Sequence, residues 1–350
     1  MTPGIPARLL IVSDAWLPQV NGVVRTLTQV VNLLREGGDT VEVIGPDRFR
    51  NMAMPGYAEI RLALAPKRRL VQLIDQFHPD AVHIATEGPL GWAARALCLK
   101  RGWRFTTSFH TRFPDYLHAR TRVPRSWSWA VMRRFHAASA AVLVATPSLA
   151  AEMKQRGFAN LTSWSRGVDT ERFHPRTAPG PGTDHEDPFA GLPRPVFLYA
   201  GRVAVEKNIA AFLELDLPGS KAVVGEGPQR AALQARYPTA RYTGRLDNGH
   251  LAAAYAGADV FVFPSRTDTF GLVLLEALAS GTPVAAFPVT GPIDVIAPAP
   301  EKVGALDEDL RIACLGALEA DRAACRRHAE TWSWAACAAR FRDTLTPARA

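Results

Sequence analysis

The sequence predicts an α/β protein built from two Rossmann-like domains, each with a parallel sheet, facing one another across a cleft. Three observations carry this. Short β-branched or apolar runs alternate with segments of helical period, the pattern of a parallel sheet covered by helices on both faces. The alternation occurs twice, and a Pro/Gly-rich stretch over 173–195 separates the two occurrences. Polar or glycine-marked turns follow the runs in both halves, at the carboxyl ends where such sheets bind ligands. The 350 residues suffice for two domains of ordinary size.

In the first half the strand-like runs are RLLIVS (Arg8 to Ser13), TVEVIG (Thr40 to Gly45), AVHIA (Ala81 to Ala85), RFTTSF (Arg104 to Phe109) and AVLVA (Ala141 to Ala145). Val23, Leu27, Val30, Val31 and Leu34 recur at helical spacing and stop at Gly37-Gly38. From His174 the segment HPRTAPGPGTDHEDPFAGLPRP has little periodicity and reads as a linker. The pattern restarts with VFLYAG (Val196 to Gly201), KAVVG (Lys221 to Gly225), ARYTG (Ala240 to Gly244), DVFVF (Asp259 to Phe263) and PVAAF (Pro283 to Phe287). The predicted domains are therefore 1–172 and 196–331, with a closing helix over 332–350.

Pro264 to Val284, PSRTDTFGLVLLEALASGTPV, combines a glycine-containing turn with an apolar helix that stops at Gly281 and Pro283. The spacing predicts a first turn near Asp268. A helix start exposes unpaired N–H groups, and Gly271 leaves room for a ligand's oxygens, which makes an anion site. The plainer alternative makes Asp268 an N-cap and Glu276 a surface carboxylate.

Hydrophobic residues at 47% and charged residues at 21% describe a packed globular chain. The opening MTPGIPARLLIVSD lacks a long apolar core, and no run approaches the roughly 20 apolar residues of a membrane span. The expectation is a cytoplasmic protein. Cys98, Cys314, Cys325 and Cys337 show no metal-ligand spacing and read as reduced packing residues. A net charge of +8 favours an anionic partner.

The turns give that charge a use. Asn21-Gly22 opens a helix after the first run, and His110 follows the fourth. Gly201, Arg202, Glu206 and Lys207 follow VFLYAG, and Gly225, Glu226 and Gly227 follow KAVV. The segments GRVAVEKN, VVGEGP, YTGRLDNGHLAAAYAGADVFVFPSRTDTFGLVLLEALASGTPVAA and TWSWAACAARF together resemble the retaining glycosyltransferases of the GT-B fold, family GT4. FHTRFPDYL resembles the branch that contains diacylglycerol glycosyltransferases, sulfoquinovosyl transferases and mannosyltransferases.

The resemblance implies a nucleotide-sugar donor, UDP- or GDP-linked, held mainly by the second domain. It also implies an acceptor held by the first domain, retention of anomeric configuration without a metal or other cofactor, and a final helix that crosses back onto the first domain. The chemistry asks for fixed positive potential where the leaving diphosphate gains charge. Arg202 and Lys207 suit that task, and the helix start at Thr269, Phe270, Gly271 and Leu272 adds N–H donors. No Asp-x-Asp pair follows one of these strand-like runs as a metal carrier would. A solvated surface cluster of Arg202, Lys207 and Glu206 is the alternative.

The family spaces two glutamates by seven residues; here the first is Asp268 and the second Glu276. By resemblance Asp268 contacts hydroxyls of the transferred sugar, Glu276 those of the ribose, and His110 positions the sugar. Gly22 allows close approach of a phosphate or acceptor, while Gly201, Gly225, Glu226 and Gly227 line the nucleoside pocket.

RFPDYLHARTRVPRSWSWAVMRRFH places Arg112, Arg120, Arg122, Arg125, Arg133 and Arg134 against one acid, Asp115, with Trp127 and Trp129 among them. Basic side chains with interfacial tryptophans suit a surface lying on anionic lipid. The alternative buries both tryptophans in the core of an amphipathic helix. The expectation is transfer of a hexose to a lipid, diacylglycerol above all, at the inner membrane face. The alternatives are a soluble GDP-mannose-dependent mannosyltransferase and a basic nucleic-acid-binding protein with a non-catalytic cleft. No RNA-binding signature orders the aromatics, so no nucleic-acid partner is expected.

Overall fold

The computed structural model describes residues 7–19, 21–54, 57–114, 123–176 and 188–349. The chain divides into two compact units, Met1–Arg166 with Trp334–Ala350, and Gly167–Ser333. The first contains β1 (Arg8–Val12), β2 (Thr40–Ile44), β3 (Asn51–Met54), β4 (Tyr57–Ala63), β5 (Ala81–Ile84), β6 (Thr106–Phe109), β7 (Val142–Val144) and β8 (Leu161–Ser163). Six of these form one parallel sheet in the order β2-β1-β5-β6-β7-β8.

The strands are continuous apolar runs because both faces are covered. On β1, Leu9 and Ile11 pack with Leu27, Val30, Val31 and Leu34 of the helix Gly22–Glu36. Leu10 and Val12 point the other way, to Leu70 and Leu73 of the helix Lys67–Phe77 and Leu90 of the helix Pro89–Lys100. The helix Gly22–Glu36 begins where Asn21 Oδ1 accepts from Val24 N at 3.0 Å and ends at Gly37, with Gly38 in the left-handed region at φ 93°.

The second unit holds β9 (Val196–Ala200), β10 (Ser220–Val224), β11 (Arg241–Gly244), β12 (Val260–Phe263), β13 (Val284–Ala286) and β14 (Gly304–Leu306). All are parallel in the order β11-β10-β9-β12-β13-β14, a doubly wound 3-2-1-4-5-6 sheet whose direction of winding reverses between β9 and β12. In the first sheet the reversal lies between β1 and β5. Residues 167–173 are held in the second unit: Val168 N donates to Trp332 O at 3.1 Å, and Arg326 Nη1 donates to Thr170 O and Phe173 O at 2.9 and 2.7 Å. Residues 177–187 of the Pro/Gly-rich stretch lie outside the described residues.

Three features differ from the sequence expectation. Strands β3 and β4 form an antiparallel pair that the Pro55-Gly56 interruption disguises as a loop. Edge strands β8 and β14 are three residues long, too short to show a period. The helix after β12 begins at Leu272, not near Asp268, because Gly271 at φ 86° breaks the helical path.

The segment after Ser333 forms the helix Trp334–Thr344 and completes the first unit. Phe341 is fully buried, with its ring 4.8 Å from His83 and 5.2 Å from Trp164. Trp164 Nε1 donates to Cys337 O at 3.1 Å, and the Arg342 guanidinium pairs with buried Asp39 at 2.7 Å. The four cysteines are buried free thiols, and burial pushes Cys98, Cys314 and Cys325 up to about 12 and Cys337 to about 11. Phe341→Ala should lower the unfolding free energy by about 3–5 kcal/mol, the range for truncating a buried ring, in equilibrium urea denaturation. A loss below 1 kcal/mol would mean that this helix contributes little to the first unit.

Candidate active site

The second unit brings four of the predicted residues to the carboxyl edge of its sheet, around the β9/β12 reversal. Arg202 follows β9 directly, and the Tyr199 hydroxyl fixes its backbone by donating to Arg202 O at 2.7 Å. A short turn, Val205–Lys207, then carries Lys207 back over the sheet. Asn208, left-handed at φ 54°, ties this turn to the one after β12, its Nδ2 donating to Pro264 O at 3.1 Å. The result is an ion pair across the reversal point, with Lys207 Nζ 2.6 Å from Asp268 Oδ1.

Asp268 is not the cap of the following helix. Gly271 occupies that position and has no side chain with which to cap the helix. The other carboxylate oxygen of Asp268, Oδ2, is buried and has no hydrogen-bond partner. A buried acceptor without a donor costs about 1–3 kcal/mol, so the position is suited to an incoming hydroxyl.

Glu276 is buried at 4% exposure rather than set on an outer stripe, and it accepts from Tyr255 Oη at 3.1 Å through Oε2. It lies in the second turn of Leu272–Ala279, and helical side chains lean toward the N-terminus, so its carboxylate is directed to the same end as Asp268. Phe270 contributes backbone only, since its ring is buried against Trp332 at 5.6 Å.

The glycines after β9 and β10 serve close backbone packing. A Cβ on Gly225 would meet Gly201 O at 1.8 Å, and one on Gly227 would meet Val203 O at 2.2 Å. The two turns lie backbone to backbone as a result. Beyond them a cavity of about 410 Å³ is lined by Glu226, Gly227, Pro228, Arg230, Ala231 and Gln234. Among the described residues no three His, Cys, Asp or Glu side chains are grouped to hold a metal.

In the first unit Asp14, directly after β1, is buried and accepts from Leu90 N at 2.8 Å, Gly91 N at 3.1 Å and Thr86 Oγ1 at 3.0 Å. Burial raises its carboxyl above the usual range despite these donors. The carboxylate caps the helix Pro89–Lys100 and anchors the turn leading to Gly22. Its place after a strand was the only sequence signal for it.

His110 is also buried, 2.8 Å from Ser108 Oγ and edge-on to Trp164. Burial, reinforced by the nearby Arg166 charge, holds its imidazole well below the usual range. Arg166 was not expected, because the three-residue β8 ahead of it hides that it follows a strand.

The basic stretch forms the helix Arg125–His136, and its two tryptophans part company. Trp129 is buried at 4%, stacked on Phe109 with centroids 5.8 Å apart, so it belongs to the core and is not an interfacial residue. Trp127 is 75% exposed and shares a stripe with exposed Val131 and Arg134. Arg125 is exposed, Arg133 donates to Arg156 O at 3.1 Å, and Arg112 pairs with Glu152. Arg120 and Arg122 lie outside the described residues.

Two doubly wound parallel sheets, with a basic and carboxylate constellation at the reversal point of one, define a GT-B glycosyltransferase that draws on a nucleotide-sugar. Residues 20–172 match the model of Glycosyltransferase Family 4, and residues 194–313 match that of glycosyl transferases group 1. The chain is 31% identical to a GDP-mannose-dependent alpha-mannosyltransferase of Mycobacterium tuberculosis, over 83% of its length and 82% of that protein's. It is 30% identical to a sulfoquinovosyl transferase of Arabidopsis thaliana, again over 83% of this chain but 61% of the relative. With the alpha-monoglucosyldiacylglycerol synthase of Acholeplasma laidlawii it shares 26% identity, over 79% of each chain. The sucrose-phosphate synthase of Thermosynechococcus elongatus has the same fold, with a TM-score of 0.74 at 20% identity, covering 96% of this chain and 97% of that one. The chain belongs to glycosyltransferase family 4.

Removing the Lys207 ammonium strands the partly buried Asp268 carboxylate. Lys207→Ala should therefore destabilise the ligand-free protein by about 1–3 kcal/mol in urea denaturation, and adding Asp268→Ala should recover part of that loss. Strictly additive losses would show that the pair is not coupled.

Proposed function

We propose that the protein is a retaining, metal-independent hexosyltransferase that uses a UDP- or GDP-linked sugar and glycosylates a lipid, diacylglycerol in the first instance, at the inner membrane surface. The observation that carries the donor half is the Lys207–Asp268 pair with its unpartnered buried oxygen. A cation and an open acceptor stand side by side at the reversal point, where a sugar diphosphate presents its phosphate oxygens next to sugar hydroxyls.

In this reading the Lys207 ammonium and the Arg202 guanidinium meet the diphosphate, and the start of Leu272–Ala279, at Gly271, adds N–H donors. As the bond from the anomeric carbon to the diphosphate breaks, negative charge accumulates on the leaving oxygens. Fixed positive groups stabilise that charge without reorganising. Asp268 Oδ2 accepts from a hydroxyl of the transferred sugar, and Glu276 accepts from the ribose. His110 is read as a residue that positions the transferred sugar; its buried ring is suited to a fixed contact rather than to carrying a proton. Gly22 admits the acceptor, and the cavity beside Glu226 and Gly227 takes the nucleoside.

The lipid half rests on the exposed Trp127, Val131 and Arg134 stripe beside Arg125, an aromatic and cationic face of the kind that lies on anionic headgroups. The mycobacterial likeness favours a second reading, a GDP-mannose-dependent alpha-mannosyltransferase with a glycan acceptor.

A thermal-shift panel of UDP-, GDP- and ADP-sugars, followed by turnover of the best ligand with and without diacylglycerol vesicles, tests the assignment. Lipid-dependent turnover is the expected outcome, and Lys207→Ala and Glu276→Ala should each lower kcat by about 10²–10³-fold. A twofold change would remove these residues from the site. In vesicle pelleting Trp127→Ala should lose binding to anionic liposomes. Equal, negligible pelleting of wild type and variant would transfer the acceptor to the glycan reading.

A further inference from the structure

Arg166 is a buried cation in the first unit, 4% exposed, with its guanidinium 4.2 Å over the Trp164 ring. Nη1 donates to Trp164 O at 2.6 Å and to Ser165 O at 3.1 Å, and Nη2 lies 3.4 Å from His110 Nδ1. None of these partners is a carboxylate. Burial brings the guanidinium down only to about 10, so it stays charged at neutral pH.

That charge decides where protons lie around it. A guanidinium has donors and no acceptor. His110 Nδ1 therefore accepts, the ring proton sits on Nε2, and Nε2 donates to Ser108 Oγ at 2.8 Å. The Ser108 hydroxyl donates onward to Ala85 O at 3.3 Å. His83 Nε2, 3.1 Å from the same oxygen, must then donate as well, and His83 Nδ1 accepts from Thr106 Oγ1 at 2.9 Å. This arrangement of protons satisfies the row from Arg166 to Thr106, and Arg166 fixes the sense of the His110 ring.

We infer that Arg166 is a positioning residue of the transfer reaction: its guanidinium locks His110 as the uncharged Nε2–H tautomer, with the ring held edge-on to Trp164. The inference rests on the reading of His110 as the residue that positions the transferred sugar. A protonated His110 would aim an N–H at the Arg166 N–H groups. His110 is faced by Arg166 from the segment after β8, by His83 from β5 and by His136 from the helix Arg125–His136. The nearest carboxylate in the row, Glu87, is engaged 3.1 Å from His136 Nε2. Cys337, on the helix Trp334–Thr344, lies by Arg166, and its thiol, pushed up to about 11, is neutral. Burial also takes His83 down to about 3, so the row stays uncharged well below neutral pH. The sign follows: His110 does not gain a proton as pH falls through ~6.5, where a free imidazole would.

Nitrogen-15 NMR of histidine-labelled full-length protein reads this directly, with His110 assigned from a His110→Asn sample. The wild type should show the Nε2–H pattern for His110, unchanged between pH 5 and 8. In Arg166→Met the same signals should lose the fixed Nε2–H pattern and titrate at a higher pH than in the wild type, while those of His83 stay fixed, and Arg166→Lys should restore much of the wild-type pattern. An Nδ1–H pattern in the wild type overturns the inference without any variant; so does an unaltered His110 in folded Arg166→Met. In turnover any acid limb should lie at higher pH in Arg166→Met than in the wild type. The expected NMR result together with full turnover by His110→Asn would confine Arg166 to ordering the ring and would overturn the sugar-positioning reading instead.

Discussion

Each six-stranded sheet is parallel throughout, and parallel strands send every following turn to one edge. That edge has to absorb abrupt changes of direction at closely spaced strands, which leaves little room for side chains where turns meet. The contact between Gly201 and Gly225 is the sharpest case, a carbonyl oxygen 1.8 Å from where a Cβ would stand. With the bulk removed there, the next residues of each turn project outward from the sheet. Lys207 comes from one such turn and Asp268 from another, and their meeting is a product of strand order rather than of sequence proximity.

Charge is handled differently in the two units. In the second, a carboxylate keeps one oxygen paired and one unsatisfied, a local cost carried at a site that a ligand can complete. In the first, buried charges are satisfied internally: Asp14 by three donors at a helix start, and Arg166 by carbonyls and a histidine. The first unit is accordingly the more self-contained, its polar groups tied into the hydrogen bonding of its own strand ends.

The sequence made the long elements legible because their periods are strong: alternate faces of β1, the stripe from Val24 to Leu34, and the apolar runs at the centres of both sheets. Short edge strands and the β3–β4 pair carried no readable period. The turns after β9 and β12 could be picked out as candidate sites from their residue types. Residue type alone could not show that Asp268 stands outside the helix, a matter of one glycine's φ, nor that Trp129 is core while Trp127, two positions earlier, is exposed. A helix places such neighbours about 200° apart, and only packing shows which face is covered. Arg166 and Ser108 were invisible for another reason, since their importance lies in which atoms accept and which donate.

The first unit is assembled from two separated pieces of chain, with Gly167–Ser333 lying between them in sequence. Phe341, Leu345 and Cys337 belong to the same apolar cluster as Leu9 and Ile11 of β1. During synthesis, therefore, β1 waits for the helix Trp334–Thr344, while the second unit has all of its residues before that helix emerges. The second unit can be complete before the first, and the nascent first unit carries an uncovered apolar face until that helix has been made.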